Sequence, residues 1–176
     1  MMVNRVDDAL KYGKTALLRQ IPIDEIKDYL IHTLDAADAK QEPPNFDSLM
    51  GLGVRLVRVG LVVDGTVIAW IEDSPTDRRL DIGSAVLAGL WHPGFRNNPV
   101  DSSAGRALIR HLIAGTARSE EAVSSVVQAV VNASEGSSLE IEPAMMTALS
   151  NVWVRSSPSI KVQIGRVLAK ASRSPV

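Results

Sequence analysis

The sequence predicts an all-α protein, either a helical bundle or a short solenoid of stacked helix pairs. Apolar residues recur at spacings of three and four, and signals for helix starts and stops flank these runs. A composition that is 45% hydrophobic but only 4% aromatic suits tightly packed aliphatic helices rather than an aromatic binding cleft. We expect residues 1–176 to form one domain, with a sub-boundary at the loop 92–101 as the alternative.

The first long amphipathic helix follows Pro22, a residue suited to the first turn of a helix. Its apolar stripe comprises Ile23, Ile26, Leu30, Leu34 and Ala37. The stretch 41–45, with two prolines, ends this helix. A nearly all-apolar helix from Phe46 to about Val63 follows. We expect it at the centre of the fold, because Arg55 and Arg58 are its only polar edge.

The segment 57–71 is open to two interpretations. The pair Asp64–Gly65 stands between two β-branched runs, which is typical of a type I′ turn in a single β-hairpin. Because the flanking segments indicate helix and an isolated hairpin is marginally stable, we favour helix, turn, helix.

Later helices carry their own boundary signals. The stretch Ser74–Asp77 predicts a helix start with Ser74 as the N-cap, and His92–Gly94 ends that helix. Another helix begins at Asp101, and the sequence Ser119–Glu121 starts the next with a cap and two acids.

The last third of the chain contains an internal alignment. Residues 107–134 and 145–172 align without gaps at a shift of 38, with Ser119 over Ser157. The apolar phase also matches, with Ala122, Val126, Ala129, Val130 and Ala133 over Ile160, Ile164, Val167, Leu168 and Ala171. A period of about 40 with two helices per unit resembles, in architecture, solenoids of the HEAT or armadillo kind. A plain bundle of helix pairs explains the same alignment.

Composition excludes several functions. Cysteine is absent, which excludes disulfides and thiolate zinc sites and suits a reducing cytosol. With a net charge of −1, no bulk field draws the chain to nucleic acid or to anionic lipid. Asp7 and Asp8 stand where a secretory signal needs an apolar core, so we expect a cytoplasmic protein. The apolar run 49–71 is broken by three charged residues, so we expect no membrane span.

The stretch from Gly89 to Asp101 is the leading candidate for a partner-binding surface. It contains Trp91, His92, Phe95 and Arg96, and aromatic residues with arginine are common anchors at interfaces. The alternative is a corner in which both aromatic rings pack into the core and Pro93 and Gly94 end the helix.

The second candidate is the acidic face of the helix that begins at Ile23. On it, Asp24, Asp28, Asp35 and Asp38 fall within a narrow arc, with His32 beside them. Because they share one solvated helix face, we predict no metal and no cofactor there. A docking surface for a basic partner is the functional interpretation, and ordinary solubilising charge is the alternative.

The predicted function is a non-catalytic protein-binding module, such as an adaptor, inhibitor or immunity-type partner. It would bind another protein or a second copy of itself. No nucleophile motif or phosphate loop is present, and Gly51 and Gly53 are assigned to close helix packing. A small enzyme or enzyme subunit that uses His92 or His111 for proton transfer is one alternative. The other is nucleic-acid binding through two basic ridges, one of Arg106, Arg110 and His111 and one of Arg166, Lys170 and Arg173.

Overall fold

The computed structural model describes residues 2–92, 94, 120–134, 143–154 and 156–173. Within these ranges the regular structure is entirely helical, which confirms the all-α class. The helices are α1 (Met2–Lys11), α2 (Thr15–Gln20), α3 (Ile23–Ala39), α4 (Phe46–Arg58), α5 (Asp64–Asp73), α6 (Asp77–Leu90), α7 (Glu120–Ser134), α8 (Pro143–Val154) and α9 (Pro158–Arg173). None of these helices is both long and apolar enough to cross a bilayer.

Two predictions fall outside the described ranges. The helix expected from Asp101 lies there, and so does most of the loop 92–101 that was considered as a sub-boundary. The division into one domain therefore stays a prediction. Of the predicted apolar stripe of α3, Ile26, Leu30 and Leu34 are fully buried and Ala37 is partly buried, whereas Ile23 is 44% exposed.

The segment 57–71 forms helix, loop and helix, so the hairpin alternative is wrong. Helix α4 stops short of Val63 because Gly60 adopts a φ of 83° and ends it. The N–H of Gly60 donates to the Val57 carbonyl at 3.0 Å, and the next N–H donates to the Leu56 carbonyl at 3.1 Å. This pair of bonds is a Schellman motif. Because the chain has already turned there, Asp64–Gly65 falls in the first turn of α5.

Helices α4 and α6 touch backbone to backbone where Gly53 meets Gly89. A Cβ atom on Gly53 would lie 2.8 Å from the Leu90 nitrogen and 3.0 Å from the Gly89 Cα, and closer still to the Val86 carbonyl oxygen. A Cβ atom on Gly51 would meet nothing within 4 Å. Close packing, expected of both glycines, is therefore confirmed for Gly53 and wrong for Gly51.

Helix α6 is the central element of the described core. Every residue from Ile82 to Leu90 is buried, and α6 packs against α3, α4, α5 and α7. Its N-cap is Thr76, whose side-chain oxygen accepts the Arg79 N–H at 3.1 Å. The cap is therefore two residues later than predicted, because α5 runs to Asp73 and Ser74 serves as the C-cap of that helix.

A buried amide fixes α7 on α6. The Asn132 side chain donates to the Ala88 carbonyl at 2.8 Å and accepts a hydrogen bond from the Gln128 amide at 2.9 Å. Carbonyls in the last turn of a helix lack intrahelical partners, so Asn132 caps α6 from a neighbouring helix.

Helices α7 and α9 pack against each other through the two aligned apolar stripes. The buried members are Val126, Ala129, Val130 and Ala133 on α7 and Ile160, Ile164 and Val167 on α9. Ser157 accepts the Ile160 N–H at 3.5 Å, in agreement with its assignment as a cap. Residues 107–118 lie outside the described ranges, so the solenoid stays a prediction.

The hydroxyl of Tyr29 on α3 donates to the Asp7 carboxylate on α1 at 2.8 Å. Burial, together with the hydrogen bond to Asp7 and its negative charge, raises the pKa of Tyr29 to about 12. The tyrosine proton therefore helps to hold α1 on α3.

We expect Gly53→Ala to lower the free energy of unfolding by about 2–3 kcal/mol, because the added methyl group must push α4 away from α6. Gly51→Ala is the matched control in the same helix. It should be neutral or stabilising by up to about 1 kcal/mol, since alanine is the better helix former and the space is open. Urea unfolding followed by circular dichroism measures both. Equal stability of the two variants would show that the helices do not touch at Gly53.

Stability should fall between pH 10 and about 12, and Tyr29→Phe should reduce this fall. The folded state binds the tyrosine proton more tightly than the unfolded chain. This contribution is therefore complete below pH 10 and is lost as the pH rises through 12. Urea midpoints across this window measure the effect, with Tyr12→Phe at an exposed ring as control. If the urea midpoint of Tyr29→Phe fell with pH as steeply as that of the unmodified chain, the raised pKa of Tyr29 would not be the cause of the fall.

Candidate functional site

A groove of about 710 Å³ lies between α3 and α5, and we call it the α3–α5 groove. The α3 side consists of Asp24, Lys27, Asp28 and Ile31, and the other side of Val62, Gly65, Thr66, Ala69, Trp70 and Asp73. Three carboxylates and one ammonium group thus line a surface whose other members are mostly apolar. Such a surface can hold a ligand that is both basic and apolar.

Trp70 lies at the base of the groove, where contacts from two other helices fix its ring. The indole N–H donates to Asp35 on α3 at 2.8 Å. The guanidinium of Arg79 on α6 lies 4.5 Å from the ring centroid and donates to the Trp70 carbonyl at 2.8 Å. Because α3 holds the indole N–H and α6 holds the ring face, the base of the groove is formed before any ligand binds.

The four aspartates predicted as one acidic face divide into two pairs. Asp24 and Asp28 are exposed and line the groove. Asp35 holds Trp70, while Asp38 accepts the Arg79 Nε–H at 3.3 Å. The face is therefore solvated at its N-terminal half and engaged by α6 at its C-terminal half. His32 beside it is exposed. Within the described ranges, no three His, Asp or Glu side chains come together as metal ligands.

Arg78 closes the C-terminal end of α3, which has no basic residue in its own last turn. Its guanidinium donates to the carbonyls of Ala37 and Asp38 at 3.1 Å each and to that of Glu42 at 2.7 Å. The positive charge at these carbonyls is favourable, because the C-terminus of a helix is the negative end of its dipole.

Sequence reasoning missed both Arg78 and Arg79, although a signal was present. They stand in the first turn of α6, where a positive charge opposes the helix dipole. Two adjacent arginines at such a position indicate partners elsewhere in the fold.

In the predicted partner-binding stretch from Gly89 to Asp101, the described residues do not line the α3–α5 groove. Trp91 is 2% exposed, and its indole N–H lies 3.3 Å from the Asp64 carboxylate on α5. This placement favours the interpretation in which Trp91 packs into the core. His92 is exposed, and its Nδ1 accepts the Gly94 N–H at 3.1 Å. Phe95, Arg96 and His111 lie outside the described residues.

A second cavity, of about 940 Å³, lies where the N-termini of α4 and α9 meet α7. Its described lining contains both polar and apolar residues, and none of these is basic. Ser125 on α7 lines it at 5% exposure, and among the described residues the Ser125 hydroxyl has no hydrogen-bond partner.

Ser125→Ala should leave the stability unchanged or raise it by up to about 1 kcal/mol, since a buried hydroxyl without a partner is removed. The control is Ser84→Ala on α6, where the hydroxyl is buried but donates to the Leu80 carbonyl. Urea unfolding compares the two variants. A clear loss of stability in Ser125→Ala would mean that its hydroxyl is satisfied.

No protein-family model, curated protein or solved structure matches the chain. The function is therefore inferred from geometry and charge. Of the surfaces described, the α3–α5 groove combines a fixed base with exposed charged and apolar side chains.

Proposed function

We propose that the protein is a non-catalytic protein-binding module that docks a basic, partly apolar helical segment in the α3–α5 groove. The observation that carries the proposal is the coincidence of exposed carboxylates with exposed aliphatic side chains along one groove. Carboxylates alone are ordinary on a surface, and so are scattered aliphatic residues. Their combination around a concave surface is typical of a binding site.

The groove exposes aliphatic side chains that would be more stable out of contact with water. Ile31 is 37% exposed and Val62 is 65% exposed, and both line the groove. Ile23, at 44% exposure, lies one helical turn before Lys27 and extends this surface towards the start of α3. Covering these side chains removes aliphatic surface from water and supplies binding free energy.

The charged part selects the partner. Asp24, Asp28 and Asp73 surround the apolar surface, and Lys27 is the one basic residue among the described residues of the lining. Asp73 is 83% exposed, and its contact with Arg79 is long, at 3.9 Å, so its carboxylate is available to a ligand. Such a rim accelerates association with a basic segment and repels an acidic one.

The shape suits a helix. The α3 residues that line the groove are spaced at three, four and seven residues, so they form one face of that helix. With α5 as the second side, the groove can receive the apolar face of a third helix.

The test is the binding of a labelled amphipathic peptide of leucine and lysine at helical spacing, measured by fluorescence anisotropy. We expect saturable binding that weakens at least tenfold, or about 1.4 kcal/mol, in Asp24→Lys/Asp28→Lys. Higher salt should also weaken it. The same peptide with glutamate in place of lysine should not bind.

The control variant is Asp8→Lys/Glu42→Lys, which makes the same change of charge at exposed positions outside the groove. It should bind the lysine peptide as tightly as the unmodified chain. The indole N–H signals of Trp70, Trp91 and Trp153 locate the site by NMR, and only that of Trp70 should move. Equal losses in both charge variants, or no saturable binding at all, would overturn the proposal.

A further inference from the structure

The large hydrophobic side chains that are exposed in the described residues concentrate in two places. Of seven such side chains, Ile23, Ile31 and Val62 surround the α3–α5 groove. Three others, Trp153, Val154 and Val162, belong to α8 and α9. Only Tyr12 lies elsewhere. The second place is thus comparable to the groove in apolar content.

The charged side chains that the structure describes on this second surface, Lys161 and Arg166, are both basic. Residues 143–173 contain five Lys and Arg and no Asp or Glu. The ammonium group of Lys161 lies 4.6 Å from the centroid of the Trp153 ring. On α9, Val162 and the exposed Arg166 are four residues apart and share a helix face. We call Trp153, Val154, Lys161, Val162 and Arg166 the α8–α9 patch.

The two surfaces are opposite in charge. Helix α3 carries five Asp and Glu and one Lys, whereas α9 carries four Lys and Arg and no acid, and α8 carries no charged residue. A net charge of −1 for the whole chain conceals this separation. The α8–α9 patch therefore has the chemistry that the groove requires of its ligand, because it combines positive charge with exposed apolar side chains.

The groove and the patch do not meet within one molecule. Helices α3 and α5 pack on α6, whereas α9 reaches α6 only through α7 and α8 packs on α9. Within the described ranges no contact joins α3 or α5 to α8 or α9. The apolar side chains of both surfaces are exposed, so each surface can contact another molecule.

We propose that the groove of one copy of this chain binds the α8–α9 patch of a second copy, so that copies associate head to tail. The inference rests on the proposed function, because it uses the same groove and names its occupant. Because the contact is heterologous, each copy keeps one unused groove or patch, and association continues into an open chain or closes as a ring.

Sedimentation velocity over a concentration series tests the assembly. The unmodified chain should show a mass that grows with concentration and falls with salt. The groove variant Asp24→Lys/Asp28→Lys and the patch variant Lys161→Glu/Arg166→Glu should each associate at least tenfold more weakly. Circular dichroism confirms that both are folded.

Rescue makes the test specific. An equimolar mixture of the groove and patch variants should assemble, because the acidic groove of one meets the basic patch of the other. A single chain with all four reversals should also assemble, since acid and base have exchanged places. Asp8→Lys/Glu42→Lys should behave as the unmodified chain. If neither the mixture nor the four-fold variant recovers, the head-to-tail contact is wrong.

The three tryptophans separate this inference from the proposed function. As the protein concentration rises, the indole signals of Trp70 and Trp153 should both move while that of Trp91 stays. If the lysine peptide moves Trp70 but protein concentration moves neither signal, the groove is a binding site and the second copy is not its occupant. Movement of Trp153 alone would indicate contact between two patches and would also overturn the inference.

Discussion

The backbone contact between Gly53 and Gly89 is the constraint on which the rest of the described fold depends. Two helices that meet without side chains between them approach more closely than ordinary helix pairs, so their crossing point is fixed. The crossing fixes α6, which is buried from Ile82 to Leu90 and has helices packed around it. The positions of α3 and α5, and therefore the groove between them, follow from where α6 lies.

Aliphatic packing alone does not set the register of these helices, because it is not directional. Polar side chains that reach the ends of neighbouring helices set it instead. Arg78 binds the last carbonyls of α3, and Asn132 binds a carbonyl in the last turn of α6. Asp35 and Arg79 then orient Trp70 between them. The side chains that hold Trp70 come from α3 and α6, so the base of the proposed binding surface depends on the register that these polar contacts set between the helices.

The sequence predicts what is local and periodic. The buried middle of the α3 stripe and the stripes of α7 and α9 follow from spacing along one helix, whereas spacing does not distinguish the packed Gly53 from the open Gly51. Where two local turn signals compete, the sequence does not show which one is used. Here Gly60 ends α4, so Asp64–Gly65 lies in the first turn of α5 and forms no hairpin turn. The division of the acidic face cannot be read from α3 at all, since the arginines that engage its C-terminal half lie about forty residues further along the chain. The spacing of residues along one helix shows which of them share a face, but it does not show which neighbouring helix packs on that face.

Magnitudes explain why the separated charges matter in a nearly neutral chain. In the proposed head-to-tail contact, covering six partly exposed aliphatic and aromatic side chains contributes roughly 4.5–9 kcal/mol, taking half of the value for full burial of each. Association itself costs about 4–15 kcal/mol in lost freedom. The apolar surfaces therefore leave the balance close to zero, and exposed ion pairs of below about 1 kcal/mol each determine its sign. A contact of this kind responds to concentration and to salt, and it discriminates by charge. Neither the acidic groove nor the basic patch would supply this discrimination without the other.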